Sequence, residues 1–122
     1  MQSIDLHGAR ISVIAEDIVL FEAKENTIVD KLAARRYYDE IEKLVDGDYS
    51  LIINRSYKYQ LLRFEVFSVI NSQSRLKAVA IVAAGAPAKR MIQIDEPLCE
   101  KPFAAFSRIE DAISWLRSLR RE

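Results

Sequence analysis

Several of the features that announce an activity are scarce in this chain. One cysteine, Cys99, excludes an internal disulfide and fits a reducing compartment. One histidine, His7, leaves a metal centre or a catalytic triad to be assembled from scattered carboxylates. No apolar run approaches the roughly 20 residues that cross a bilayer, and the first ten residues lack the basic and apolar regions of a signal peptide. Charge of one sign is missing too: 18 Lys and Arg face 18 Asp and Glu, so the chain as a whole has no cationic excess for nucleic acid. The expectation is a cytoplasmic protein with no membrane insertion, no nucleic-acid partner, no cofactor, no metal and no catalytic residue set.

What is present is a core. Half of the 122 residues are hydrophobic, enough for one self-supporting domain spanning 1–122. The organising stretch is LKAVAIVAA at 76–84, β-branched, nearly free of polarity after Lys77 and closed by Gly85. A run this short and apolar reads as a strand covered on both faces, the spine of a parallel sheet. RISVIAEDIVLF at 10–21 reads as an antiparallel hairpin with strands at 11–14 and 18–21. Thr27 and Asp30 have capping-box spacing and predict a helix over 28–45, with Gly47 at its close. YSLII at 49–53 predicts a second buried strand.

The segment 60–70, QLLRFEVFSVI, alternates in part like a strand, but its place between two buried strands favours a crossover helix. Such a helix would be apolar nearly all round, which makes Phe64 and Phe67 candidate partner contacts. Pro87 suits the first turn of a short third helix. PFAAF at 102–106 predicts the last strand, and Ser107 with Glu110 a second capping box. The final helix carries Ile109, Ala112, Ile113, Leu116 and Leu119 on one face, with Trp115 beside them as a third candidate contact. The N-terminal residues around His7 read as a mobile segment. The sum is an α/β fold: a single-layer mixed sheet of about five strands, an antiparallel hairpin followed by parallel strands, with about four helices.

This order of elements, the strands LII and LKAVAIVAA around one helix, and the ending FAAFSRIEDAISWLRS resemble the STAS-like or SpoIIAA-like family, which includes anti-sigma-factor antagonists and, more remotely, CRAL-TRIO lipid carriers. Antagonists of the sporulation type carry a phosphorylatable Asp-Ser-Ser-Gly signature at the start of the helix after the second strand. Here that stretch reads SYKYQLLRFE, with Arg63 and Phe64 about where the serines would stand. The resemblance therefore implies the scaffold without the switch.

Open α/β sheets bind ligands beyond the carboxyl ends of their parallel strands. The loops there would supply Arg55, Ser56, Tyr57, Lys58 and Tyr59 from one side and Gly85, Lys89 and Arg90 from the other. Such a set could hold a small anion. Two functions follow. One is a non-enzymatic interaction or regulatory module that binds a protein, or itself as a homodimer, through the helix at 61–70. The other is a carrier or sensor of a small lipid or anion at the strand ends.

Overall fold

The computed structural model describes residues 2–55 and 59–119. Six strands form one mixed sheet: β1 (Gln2–Leu6), β2 (Ala9–Ala15), β3 (Ile18–Ala23), β5 (Tyr49–Asn54), β7 (Leu76–Val82) and β8 (Phe103–Phe106), in that spatial order. The first three are antiparallel, and from β3 onward every neighbour is parallel. The expected α/β class, with a hairpin followed by parallel strands, is what the chain adopts. Four α-helices join the strands: α1 (Lys31–Leu44), α2 (Arg63–Ser72), α3 (Ala86–Asp95) and α4 (Ile109–Leu119). A short second ladder pairs β4 (Ile28–Val29) with β6 (Gln60–Leu61) in parallel.

Period-two alternation splits the sheet into two apolar faces. Val79, Ile81 and Ala83 join Leu51 and Tyr49 beneath the layer of α1, α2 and α3. Ala78, Ala80 and Val82 join Ile52 under α4, where Ala112 and Leu116 are buried. The small alanines on both sides of that contact permit a close approach of helix to sheet. α4 covers β5, β7 and β8. Where it does not reach, the facing strands turn polar: Ser3 Oγ donates to Ser12 Oγ at 3.0 Å, and Asp5 pairs with Arg10 at 3.9 Å.

Several boundaries differ from the sequence expectation. The N-terminal residues form the edge strand β1, because Ile4 and Leu6 alternate onto the α1 face and pair with β2. Residues 28 and 29 are extended, not helical. The N-cap of α1 is Asp30, whose carboxylate accepts the Ala33 N–H at 2.8 Å, while Thr27 donates its hydroxyl to the Gly8 carbonyl at 3.1 Å. Gly8 has φ +77°, and a Cβ there would lie 2.7 Å from Thr27 Oγ1, so this turn requires glycine. The 60–70 segment divides into β6 and α2, which keeps the expected helix but starts it at Arg63. In α4 the first helical bond, from Ala112 N–H, ends on the carbonyl of Arg108, so Arg108 stands at the N-cap in place of the expected Ser107.

The ends of α3 set the geometry of the site. The helix opens at Gly85, just beyond β7, and closes at Asp95 beside Arg55 and Arg63, which follow β5 and open α2. It therefore lies across the carboxyl ends of the parallel strands. A 3₁₀ turn (Glu96–Leu98) and an extended link then run down beside α2, where Asn71 donates to the Leu98 carbonyl and accepts the Glu100 N–H. At the opposite end Arg75 donates to the carbonyls of Glu42, Val45 and Gly47 and so satisfies the open C-terminus of α1. Because the Asp30 carboxylate caps α1, Asp30→Ala should cost about 1 kcal/mol in urea unfolding, and Thr27→Val appreciably less through the helix terminus.

Candidate functional site

The strand-end loops do meet, through a residue the sequence reading passed over. Asp95, 1% exposed, accepts Arg55 Nη1 at 2.6 Å on one oxygen and Arg63 Nε at 2.6 Å on the other. Arg55 is itself buried, and its guanidinium lies 5.5 Å from the centre of the Tyr59 ring. Burial raises the Tyr59 phenol to about 12, a shift that the Arg55 charge moderates. Arg55 is thus engaged inside the protein and is not a loop cation open to a ligand. Ser56, Tyr57 and Lys58 lie outside the described residues. Lys89 and Arg90 are exposed on α3, and Gly85 forms its N-cap at φ +91°.

Beside Arg55 and Asp95, a narrow, partly open void of about 30 Å³ lies between the sheet and α1 and α2, walled by apolar groups such as Phe21, Tyr38 and Phe67. That is room for roughly two water molecules and no larger guest without a rearrangement.

The aromatic candidates separate cleanly. Phe67 is 3% exposed and meets Phe103 edge to face with ring centres 6.2 Å apart, so it belongs to the core and offers no partner surface. Trp115 is half-buried, tilted on Phe106 at 5.7 Å. Phe64 is 75% exposed. Sequence reasoning missed its companions Ile28, Leu32 and Leu62, which are also exposed. They share one end of the molecule: Leu62 N–H bonds to the Val29 carbonyl at 3.0 Å, and Lys31 N–H reaches Glu65 Oε1 at 3.3 Å. Leu32 follows within one turn. The β4–β6 ladder is what gathers them, and two-residue strands leave no periodic trace in a sequence.

The remaining groups with chemical potential are committed to structure. His7 sits in the β1–β2 turn, where its ring Nε2 lies 3.3 Å from Arg36 Nη1 and its carbonyl accepts the Tyr37 hydroxyl at 2.7 Å. Cys99 is half-buried, and burial pushes its thiol up, opposite to the shift that activates a nucleophile. Among the described residues no group of three or more His, Cys, Asp or Glu could hold a metal ion, and no helix is long and apolar enough to cross a membrane. Compared with known proteins, the chain matches no family model, and neither the curated proteins nor the solved structures yield a match.

Two outcomes test this geometry. Asp95→Ala leaves two arginines facing a buried gap and should cost about 3–5 kcal/mol in denaturant unfolding, whereas Lys89→Ala on the exposed side of α3 should change stability by no more than about 0.5 kcal/mol. The Tyr59 phenol keeps its proton in the folded chain to about pH 12, while in the unfolded chain it ionises near pH 10. Its contribution is therefore complete below pH 10 and is lost as pH rises toward 12. Over that window wild type should lose on the order of 2–3 kcal/mol more stability than Tyr59→Phe, read from denaturant midpoints at stepped pH.

Proposed function

We propose that this chain is a non-enzymatic protein-interaction or regulatory module, a SpoIIAA-like scaffold that lacks the phosphorylatable switch and docks a protein at the carboxyl end of its parallel strands. The observation that carries the reading is the exposed cluster of Ile28, Leu32, Leu62 and Phe64, large apolar side chains from β4, from the first turns of α1 and α2, and from the residue between β6 and α2. Hydrophobic residues scattered singly over a surface are ordinary, but a contiguous group on rigid elements marks an interaction site. At the helix start where the family signature would place its serines, Arg63 is held by Asp95 and Phe64 points outward. That position serves architecture and contact in place of phosphorylation.

The alternative, a carrier of a small lipid or anion, has weaker support. Arg55 is taken up by Asp95, and the adjoining void is about 30 Å³.

The test places a photo-crosslinking residue at position 64 in living cells, with position 114, exposed on α4, as the control. A discrete protein adduct from 64, absent from 114 and lost when Leu32→Glu is added, supports the module. An adduct of twice the chain mass identifies a second copy as the partner. Identical patterns from the two positions, or no adduct from 64, overturn the reading. Phe64→Glu should melt within a few degrees of wild type, about 0.5 kcal/mol or less, while Phe67→Glu should not fold, and circular dichroism separates the two.

A further inference from the structure

Among the described residues, exposed cations without ion pairs gather beside the apolar cluster. On the exposed face of α1, Arg35 and Arg36 follow Leu32 at three and four residues, the spacings that make neighbours on a helix, and Lys31 precedes it in the same exposed turn. Across the same end, Lys89 and Arg90 are exposed in the first half of α3, next to Met91. Among the described residues none of these five cations forms an ion pair; Arg36 meets only the ring nitrogen of His7. The cations that do find carboxylates at the surface lie elsewhere: Arg10 with Asp5, Lys43 with Glu40 in the last turns of α1, the half-buried Arg75 with Glu42, Lys77 with Asp48 and Arg108 with Asp111. In addition, α1, α2 and α3 all begin at the carboxyl ends of the strands, and their N-termini add positive potential there. A chain with no net charge thus places five exposed cations without ion pairs at the end that carries its exposed apolar side chains, while Arg117 on α4 is exposed and, among the described residues, without an ion pair on another face.

We propose that the partner docked at this end is an acidic amphipathic polypeptide segment, whose apolar anchors seat on Ile28, Leu32, Leu62 and Phe64 while its carboxylates face Lys31, Arg35 and Arg36. This rests on the interaction reading above and specifies its chemistry. A second copy of the chain is a poor occupant, because a two-fold axis through this face sets the same cations against each other. An anionic bilayer is disfavoured by Glu25 and Glu65, exposed at the same end, and by an apolar surface built from several elements, not from one helix that could lie flat in an interface. For an acidic peptide the acidic residues are no obstacle, since individual carboxylates can be spaced to avoid them. Helix-in-groove or strand-like seating both satisfy the arrangement.

The experiment titrates the full chain against a fluorescein-labelled helical peptide with Leu at i, i+3, i+4 and i+7 and Glu at the remaining positions, followed by anisotropy. Its twin carries Lys in place of Glu, a third peptide carries Ser in place of Leu, and phosphatidylserine-containing vesicles provide a flotation arm. The Glu peptide should bind at least about tenfold more tightly than the Lys twin at low ionic strength, and the gap should close at about 0.5 M salt. Arg35→Glu with Arg36→Glu should remove that preference, and Leu32→Ser with Phe64→Ser should weaken the Glu peptide by about tenfold or more. Equal binding of the two twins, still lost in Leu32→Ser with Phe64→Ser, overturns the acidic chemistry and leaves the apolar docking face standing. Binding of neither peptide, or of the Ser peptide as well as the Glu peptide, overturns the proposal, as does vesicle flotation that depends on Arg35 and Arg36. Crosslinking from position 64 reports separately on whether the face is used at all.

Discussion

A carboxylate buried between two arginines fixes the working end of this protein. Asp95 lies almost wholly out of water, and removing a charge from water costs several kcal/mol unless its partners are close and well aligned. Arg55 and Arg63 meet that condition at 2.6 Å each. The consequence is architectural. One residue at the end of α3 holds the loop after β5 and the first turn of α2, so three segments far apart in sequence share one anchor. Once Arg63 is pinned, the direction of the next side chain, Phe64, is set as well. The position of the exposed cluster thus follows from a buried ion pair and not only from apolar packing.

Arginine plays the same part at the other end of the sheet. Arg75 gathers the last carbonyls of α1 with its planar fork and lies 5.9 Å from the centre of the Tyr49 ring, close to Glu42. Five donors in a fixed plane can satisfy several acceptors that point different ways, which a lysine ammonium does less well. Three of the chain's long cations therefore act as internal fasteners, Arg55 and Arg63 at one end of the strands and Arg75 at the other. Lys31, Arg35 and Arg36 on α1 and Lys89 and Arg90 on α3, exposed and without an ion pair among the described residues, are a different population.

The layered fold was legible in the sequence because its signals extend over many residues. The apolar run at 76–84, unbroken after Lys77, and the apolar stripes of α1 and α4 each persist along an element, and the packing follows them. The features that were missed lack any repeat. β4 and β6 are two residues each, and β1 has only Ile4 and Leu6 to mark its inner face. Asp95 looks like an ordinary solvated charge at a helix end, and its partners lie 32 and 40 residues away. Phe64 and Phe67 are only three residues apart on one helix, so neighbouring exposure is the natural expectation. They differ because α2 starts at Arg63, so Phe64 stands in its opening turn beyond the core while Phe67 reaches Phe103.

Net charge illustrates the same limit. A sum over the chain shows a neutral protein, without the overall cationic excess typical of nucleic-acid binders. It says nothing about how the charges are paired. Folding joins Glu42, Asp48 and Asp111 to nearby cations, buries Asp95 between two more, and leaves Lys31, Arg35, Arg36, Lys89 and Arg90 without ion pairs among the described residues at the strand ends, beside the exposed Glu25 and Glu65. Over one Debye length, about 8–10 Å, a partner senses that local remainder and not the total. Neutrality overall keeps the long-range field weak, so this face should select partners at contact by matching charge around an apolar anchor, and gain little from steering at a distance.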